Sequence, residues 1–168
     1  AAATALACPA LARSASPTLA IGGPAFGTSW KATLSAAANA GVLQTALQET
    51  LARIDRLMSP WRRDSAITAF NERRSRDWQP IDSEIATVVQ AASSVRGASE
   101  RAFDIAVGPH VGRWGFGPMA AAEVPLDAEV LASDAALCKS HPEVTVDLCG
   151  IAKGYALDKM VSVLRERG

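Results

Sequence analysis

Residues 144–160, VTVDLCGIAKGYALDKM, change their hydrophobic period within one short run. Apolar and polar residues alternate in the first five positions, which is typical of a strand with one buried face. From Ala152 onward the apolar residues recur at the spacing of a helix instead. We therefore predict a strand, a tight turn at Gly150 and a helix, and we call residues 147–153 the corner.

The corner carries two charged residues with chemical meaning. Asp147 should lie near the end of the strand, and Lys153 in the first turn of the helix, where free N–H groups and the helix dipole favour anions such as phosphate. The carboxylate suits either a hydrogen-bond donor on a base or a divalent cation. In the alternative interpretation, Asp147 only caps the helix and Lys153 is a solvated surface lysine, and spacing alone does not separate the two.

Length and composition set modest bounds on the class of protein. A chain of 168 residues can bury a core and is near the usual size of one domain. The 17 basic and 17 acidic residues cancel, and no long run of either sign occurs, so neither a nucleic-acid surface nor a polybasic membrane patch is expected. Alanine inflates the hydrophobic content of 49%, and no stretch is long enough to span a bilayer.

Residues 1–22 are expected to be the remains of a signal peptide and a linker. Residues 1–12 are rich in alanine, and Ala10-Leu11-Ala12 has the small-x-small pattern that is cleaved in secretory signals. This pattern predicts an exported or periplasmic protein. Cys8 could carry a lipid anchor to the membrane, although Ala5 is a poor match to the usual motif for lipid attachment.

The cysteines and histidines do not indicate a metal centre or a catalytic triad. Cys8, Cys138 and Cys149 are odd in number and lack the paired spacing of zinc ligands or of a disulfide framework. Cys149 is interpreted as a small packing residue. His110 and His141 have no recognisable serine and acid partners, so the sequence does not favour a histidine-based hydrolase.

Helical periodicity predicts four helices in the chain before the corner. A glycine-containing turn within residues 25–34 should lead into a strand. Ser59-Pro60 should end the first helix and Gly97 the third. The predicted helices cover residues 41–58, 64–71, 82–97 and 127–137. The buried side of the first is predicted to hold Val42, Ala46, Leu47, Leu51, Ile54, Leu57 and Met58.

Two loops carry aromatic residues that suit either a ligand or the core. Trp61 precedes two arginines and is either a stacking surface for an aromatic ligand or, as the loop alone favours, a lid on the core. Residues 102–118 hold four glycines and two prolines among aromatic side chains. This composition is typical of a tightly turned ligand loop, and equally of an irregular loop buried under its own aromatics.

Six groups of residues occur in the order that is found in ApbE-type FAD:protein FMN transferases. The resemblance extends from about Gly23 to Gly168, so residues 23–168 resemble the N-terminal part of such a domain. Any one group is weak evidence, whereas six in order are specific. The groups are Phe26-Gly27-Thr28 with Trp30, Met58-Ser59-Pro60-Trp61 with Asp64-Ser65, Phe70-Asn71, Ala102-Phe103-Asp104 with Val107-Gly108-Pro109, Trp114-Gly115-Phe116-Gly117, and Asp147 through Tyr155.

The resemblance implies an α+β fold, with a mixed sheet flanked by helices, and a flavin-transfer activity. Members of the family bind FAD and Mg²⁺ and move the FMN half of FAD onto a threonine or serine hydroxyl of a target flavoprotein. Attack by a hydroxyl on phosphorus needs charge stabilisation, which Mg²⁺ supplies by bridging phosphate oxygens. The partner implied is an extracytoplasmic flavoprotein, and some relatives hydrolyse FAD instead.

The resemblance also assigns binding residues, but no catalytic residue. Lys153 would meet the pyrophosphate, and aromatic rings would stack on flavin or adenine. Gly150 would contact the metal through its backbone oxygen. The sequence departs from the family at Phe26, where methionine is usual, and at Pro60, where threonine is common. The FAD contacts implied are Phe26, Trp61, Ala102, Phe103, Asp104, Asp147 and Lys153.

In the family, the carboxylates that bind the metal and a nearby threonine lie in a second half that follows this helix. The sheet is therefore expected to be incomplete in this chain, and the chain alone is expected to be inactive or nearly so. Two alternatives stay open. One is a non-catalytic flavin-binding or partner-binding remnant, and the other is an FAD pyrophosphatase that uses the same binding residues.

Overall fold

A computed structural model describes residues 17–36 and 38–167, and they form the α+β fold that the resemblance implies. A 3₁₀ turn, Ile105–Val107, precedes the fourth helix. The strands and helices within these residues are β1 Thr18–Ala25, β2 Thr28–Ser35, α1 Ala40–Met58, α2 Ala66–Glu72, β3 Gln79–Pro80, α3 Ser83–Ala98, α4 Gly108–Arg113, β4 Val130–Ala132, β5 Ala136–Lys139 and α5 Ala152–Arg167.

The strands make two small sheets. β1 and β2 form a hairpin in which Ala25 lies opposite Thr28, so the predicted turn at Gly27 and the strand that follows it are confirmed. In the second sheet, β5 lies between β3 and β4. The resemblance implies a mixed sheet, whereas every strand pair within the described residues is antiparallel.

The expected leader lies mostly outside the described residues, because residues 1–16, with Cys8, are not among them. Strand β1 begins at Thr18 and pairs along its whole length with β2. The first strand of the fold therefore includes residues 18–22, which the prediction assigned to a linker. No helix in the described ranges is long and apolar enough to cross a membrane.

Helix α1 supplies one wall of the core. The side chain of Asn39 caps it by accepting the N–H of Val42 at 3.3 Å, and Ser59 ends it, as predicted. The predicted buried face was wrong at Val42, which is 52% exposed, while Leu43 is fully buried. Leucines at every fourth position take the core side, because this row faces the other core helices. The buried residues of α1 are Leu43, Ala46, Leu47, Leu51, Ile54 and Met58.

Residues 127–137 are not the helix that was predicted. They form most of a hairpin in which Ala132 lies opposite Leu137, and the N–H of Ser133 donates to the carbonyl of Ala136 at 2.9 Å in the turn. Alanine-rich sequence favours a helix locally, but propensity is a weak determinant when tertiary contacts compete. Pairing with β3 buries Leu137 completely, and that burial selects the hairpin.

The end of α3 also differs from its prediction. The helix continues through Gly97 to Ala98, so the predicted glycine terminator was wrong. Left-handed backbone falls instead on Glu100 and Arg101, with φ of 51° and 70°. The turn closes there because the N–H of Arg101 donates to Arg96 O at 2.8 Å, which satisfies a carbonyl of the last helical turn.

The glycine-rich segment 102–118 is more regular than its composition suggests. The 3₁₀ turn and α4 occupy its centre. Trp114 and Phe116 are 79% and 69% exposed, so the interpretation as a loop buried under its own aromatics was wrong. Gly112 is needed for close packing, because a Cβ there would lie 2.4 Å from the carbonyl oxygen of Met119.

Lys139, at the end of β5, is a buried lysine that no sequence pattern predicts. The residue is 1% exposed, and its Nζ lies 4.9 Å from the centre of the Phe70 ring. Nζ donates to the carbonyls of Asn71 at 3.0 Å and Arg73 at 2.8 Å, which end helix α2. Burial lowers the pKa of Lys139 to about 8. The lysine therefore satisfies two helix-end carbonyls at a cost in desolvation.

We predict that Lys139 makes stability rise with pH. Between pH 8 and 10.5 the unfolded chain holds a proton that the folded chain has lost, so the free energy of unfolding increases, by at most about 1.4 kcal/mol per pH unit. Urea unfolding across this range should show that rise relative to Lys139→Met. The exposed Lys31→Met is the control and should follow the original chain. Parallel pH profiles for the original chain and Lys139→Met would contradict the prediction.

Candidate functional site

The segment before the corner keeps the predicted alternation but does not belong to either sheet. Val144, Val146 and Leu148 are all fully buried, while Thr145 and Asp147 are partly exposed. Residues 144–148 are extended without a strand partner among the described residues. The predicted alternation of buried and partly exposed side chains is confirmed, but the predicted strand was wrong, because these residues belong to neither described sheet.

The corner itself is a tight turn that leads into α5, as predicted. Oδ1 of Asp147 accepts the N–H of Cys149 at 2.8 Å, and the N–H of Ala152 donates to Leu148 O at 2.8 Å. The carboxylate thus shapes the turn rather than capping the helix, which starts at Ala152. Lys153 lies exposed in the first turn of α5, at the positive end of the helix dipole.

A network around Glu84 of α3 fixes the direction of α5. The hydroxyl of Tyr155 donates to Glu84 Oε1 at 2.9 Å, and Nζ of Lys159 lies 3.7 Å from the same oxygen. Arg53 of α1 donates from Nε to Glu84 Oε2 at 2.6 Å. Burial, followed by the hydrogen bond to Glu84, raises the pKa of Tyr155. Because one carboxylate joins three helices, the first turn of α5 is held at a defined angle.

An open cavity of about 630 Å³ lies beside the first turn of α5. Its walls come from the β1–β2 turn, the last turns of α1, the loop that follows α1, and the corner. Cavities of this size hold drug-sized ligands. It is lined by Phe26, Gly27, Ile54, Asp55, Met58, Ser59, Pro60, Trp61, Arg62, Cys149, Ala152 and Lys153.

Phe26 reaches the cavity through an uncommon backbone conformation. It has φ of 51° and precedes Gly27 with φ of 72°, so both central residues of the two-residue hairpin turn are left-handed. Such turns favour asparagine followed by glycine, and a phenylalanine there costs conformational energy. The ring is partly buried against the core. A strained aromatic residue at a cavity wall is consistent with a binding role.

Trp61 was interpreted from the loop alone as a lid on the core, and that interpretation was wrong. Its side chain is 69% exposed and lines the cavity. The neighbouring Arg62 donates to Asp64 at 2.7 Å and to Asp55 at 3.4 Å, which ties the loop to α1. The geometry therefore supports the other interpretation, a flat aromatic surface available to a ligand.

The segment Ala102-Phe103-Asp104 does not line this cavity, but it supports the corner from the other side. The Phe103 ring lies against Gly150, where an added Cβ would be 3.0 Å from Cε2. Asp104 accepts from Arg96 Nε at 2.7 Å and from the N–H of Ala106 at 2.9 Å. The carbonyl of Ile105 accepts the N–H of Asp147 at 2.8 Å.

The structure therefore brings three of the expected FAD contacts, Phe26, Trp61 and Lys153, around one cavity. Asp147 and Gly150 adjoin it at the corner, and residues 102–104 pack behind them. The sequence analysis assigned no binding role to Asp55, Met58 or Arg62, although they line the same cavity. In the sequence, Asp55 is marked only as the single carboxylate in the last two turns of α1, between Arg53 and Arg56.

The corner offers oxygen atoms of the kind that Mg²⁺ prefers. These are the carboxylate of Asp147 and the backbone oxygen of the exposed Gly150. The described ranges contain no cluster of three or more histidine, cysteine, aspartate or glutamate side chains that could hold a metal ion. The chemistry of the corner fits part of a magnesium site, and the metal contact at Gly150 stays a prediction.

Proteins of known function resemble this chain in sequence. Residues 26–168 match the model of the ApbE family. The FAD:protein FMN transferase of Vibrio cholerae is 34% identical over 164 residues, which are 88% of this chain and 49% of the relative. That of Salmonella typhimurium is 32% identical over 87% of this chain and 47% of the relative. The chain spans about half the length of the curated relatives it matches.

Solved structures give the same result for the fold. A mutant of the flavin transferase ApbE from Vibrio cholerae aligns with a TM-score of 0.80 and 32% identity, over 90% of this chain and 57% of that one. The apo form of the Pseudomonas stutzeri flavinyl transferase ApbE aligns with a TM-score of 0.78 and 27% identity, over 91% and 56%. The fold is thus that of the first part of a flavin transferase domain. The chain belongs to the ApbE family.

We predict that Asp147 keeps the Cys149 thiol protonated. Partial burial, then the hydrogen bond and negative charge of Asp147, raise the pKa of Cys149 to about 12. In a chain with Cys8→Ser and Cys138→Ser, Asp147→Asn should speed alkylation by iodoacetamide at pH 9, about tenfold for each unit by which the pKa falls.

The matched control is Asp158→Asn, an exposed aspartate further along α5. It should leave the rate of alkylation unchanged, because it lies outside the turn that holds Cys149. Equal rates in the chain with Asp147 and in Asp147→Asn would show that the carboxylate does not act on the thiol.

Proposed function

We propose that this chain forms the FAD-binding part of a FAD:protein FMN transferase. The observation that carries the proposal is the cavity of about 630 Å³, which gathers Phe26, Trp61 and Lys153 from three separate regions of the chain. Family membership supports the same activity, since the curated relatives carry that name. Because the chain spans only about half of those relatives, the activity of the whole protein is part of the proposal.

Different side chains of the cavity are proposed to bind different parts of FAD. Phe26 and Trp61 offer aromatic faces on which flavin or adenine can stack. Lys153, at the start of α5, combines its own charge with the positive end of the helix dipole, which suits the pyrophosphate. Arg62 adds a second positive charge at the cavity wall, although Asp64 and Asp55 partly neutralise it.

The reaction proposed is attack by a threonine or serine oxygen of a target flavoprotein on the phosphorus of the FMN half of FAD. A new phosphorus–oxygen bond forms, the bond from that phosphorus to the bridging oxygen breaks, AMP leaves, and the hydroxyl proton is released to solvent. Mg²⁺, held in part by Gly150 and Asp147, would neutralise charge on the phosphate oxygens. The residues of this chain bind and orient FAD, and no catalytic residue is assigned to it.

The setting of the reaction belongs to the proposal as well. The alanine-rich start of the sequence, with its small-x-small site, supports an exported or periplasmic protein that modifies an extracytoplasmic flavoprotein. Hydrolysis of FAD, with water in place of the hydroxyl, would use the same binding residues. A test of binding comes first, since both reactions and a non-catalytic flavin-binding remnant require it.

We predict that the purified chain binds FAD and that Lys153→Ala weakens binding by about tenfold or more, as expected when a charge-assisted hydrogen bond is lost. Flavin fluorescence should be titrated with and without Mg²⁺. Lys31→Ala removes an equal charge from β2, away from the cavity, and should bind like the original chain.

Competition by AMP and by FMN should then show which half of FAD the chain holds. Absence of binding in every condition would contradict the assignment of the cavity to FAD. Equal affinity of the original chain and Lys153→Ala for FAD would contradict the placement of the pyrophosphate at the start of α5.

A further inference from the structure

Asn71, in the last turn of α2, makes the hydrogen bonds to Val146 that a neighbouring strand would otherwise make. Its Nδ2 donates to the carbonyl of Val146 at 2.9 Å, and the N–H of Val146 donates to its Oδ1 at 2.7 Å. The two residues are 75 positions apart in the chain. One side-chain amide thus satisfies both backbone groups of a fully buried residue, which would otherwise be unpaired.

The backbone of Asn71 is fixed as firmly as its side chain. Nζ of Lys139 donates to the carbonyl of Asn71 at 3.0 Å and to that of Arg73 at 2.8 Å. At the other end of α2, the hydroxyl oxygen of Ser65 accepts the N–H of Thr68 at 3.1 Å. This short helix is therefore capped by side chains at both ends, which holds the Asn71 amide at a defined distance from Val146.

Few other contacts fix the backbone on the approach to the corner. In the described part of the chain, residues 144–148 make three backbone hydrogen bonds to distant residues: two to Asn71, and one from the N–H of Asp147 to the carbonyl of Ile105. Because side chains alternate along an extended segment, the position of Val146 also sets the direction of Asp147.

We propose that Asn71 is the positioning residue of the corner and, through it, of the flavin nucleotide site. It acts through Val146 on Asp147 and on the turn that leads to Lys153, without contact to the ligand itself being required. The part of the inference that concerns the nucleotide rests on the proposed function. The part that concerns the backbone of the corner does not.

The test compares Asn71→Ala with Asn39→Ala. Both remove a side-chain oxygen that accepts a backbone N–H, but Asn39 caps α1 and lies far from the corner in the chain. Asn71→Ala should weaken FAD binding by about tenfold or more, because two hydrogen bonds that place the site are lost. Asn39→Ala should lower the free energy of unfolding and leave FAD binding unchanged. If both variants weaken binding equally at equal loss of stability, the positioning role is overturned.

Asn71→Asp supplies a pH profile that a merely structural role would not produce. The ionised carboxylate can accept from Val146 N–H but cannot donate to its carbonyl, whereas the protonated acid can do both. Binding by Asn71→Asp should therefore recover as the pH falls from 8 to 5. The titratable and charged groups around this region are the same in all variants: Glu72, Arg74, Lys139 and Glu143. The pH dependence of FAD binding by Asn71→Asp is therefore compared with that of Asn71→Ala. Identical profiles would contradict the donor role of the amide.

Hydrogen exchange without flavin decides the backbone part. The amides of residues 145–149 should exchange faster in Asn71→Ala than in the original chain, while those in the middle of α1 keep their protection. Unchanged exchange at the corner would overturn the inference even if flavin binding fell. If the original chain fails to bind FAD, the proposed function and the nucleotide part fail together, and the exchange result still accepts or rejects Asn71 as the positioning residue of the corner.

Discussion

The burial of Val144, Val146 and Leu148 is the constraint on which the rest of the structure depends. All three are fully buried in one core cluster with the inner faces of α1 and α5. In an extended chain, successive side chains point to opposite sides, so burying one set directs Thr145 and Asp147 away from the core. The hydrophobic effect, which has no direction of its own, thereby determines which way the carboxylate of the corner faces.

Polar groups from elsewhere in the chain hold the backbone of residues 144–148, which lies outside both sheets. An extended segment outside a sheet would bury unpaired N–H and carbonyl groups, and each such group is costly in a core. Asn71 pairs with Val146, the carbonyl of Ile105 pairs with Asp147, and Asp104 shapes the turn that carries Ile105. Asp104 is in turn paired with Arg96, and both side chains are mostly buried. A buried pair of this kind is weak evidence for stability, but its hydrogen bond of 2.7 Å ties Asp104 to α3.

The proposed ligand site follows from where four chain segments end. The β1–β2 turn, the last turns of α1, the loop after it and the start of α5 meet around one cavity. Helix ends and turns expose backbone groups and special conformations, of which Phe26 and the first turn of α5 are examples. Residues 102–104 contribute through Phe103, whose ring packs so closely against Gly150 that an added Cβ would lie 3.0 Å from Cε2.

The sequence by itself determined the features that depend on neighbours in the chain. The alternation at 144–148, the helix after Gly150, the end of α1 at Ser59 and the starts of α2 and α3 are all local, because they rest on spacing and on side chains that bond nearby backbone. The family resemblance likewise rests on short groups of neighbouring residues and on their order along the chain.

The tertiary structure decided what depends on distant partners. It turned residues 127–137 into a hairpin by pairing them with β3, exposed Val42 in place of Leu43, and left Trp61 on a cavity wall. It also placed Asn71 against Val146 across 75 positions, since a side-chain amide can replace a strand only once folding has brought the two together.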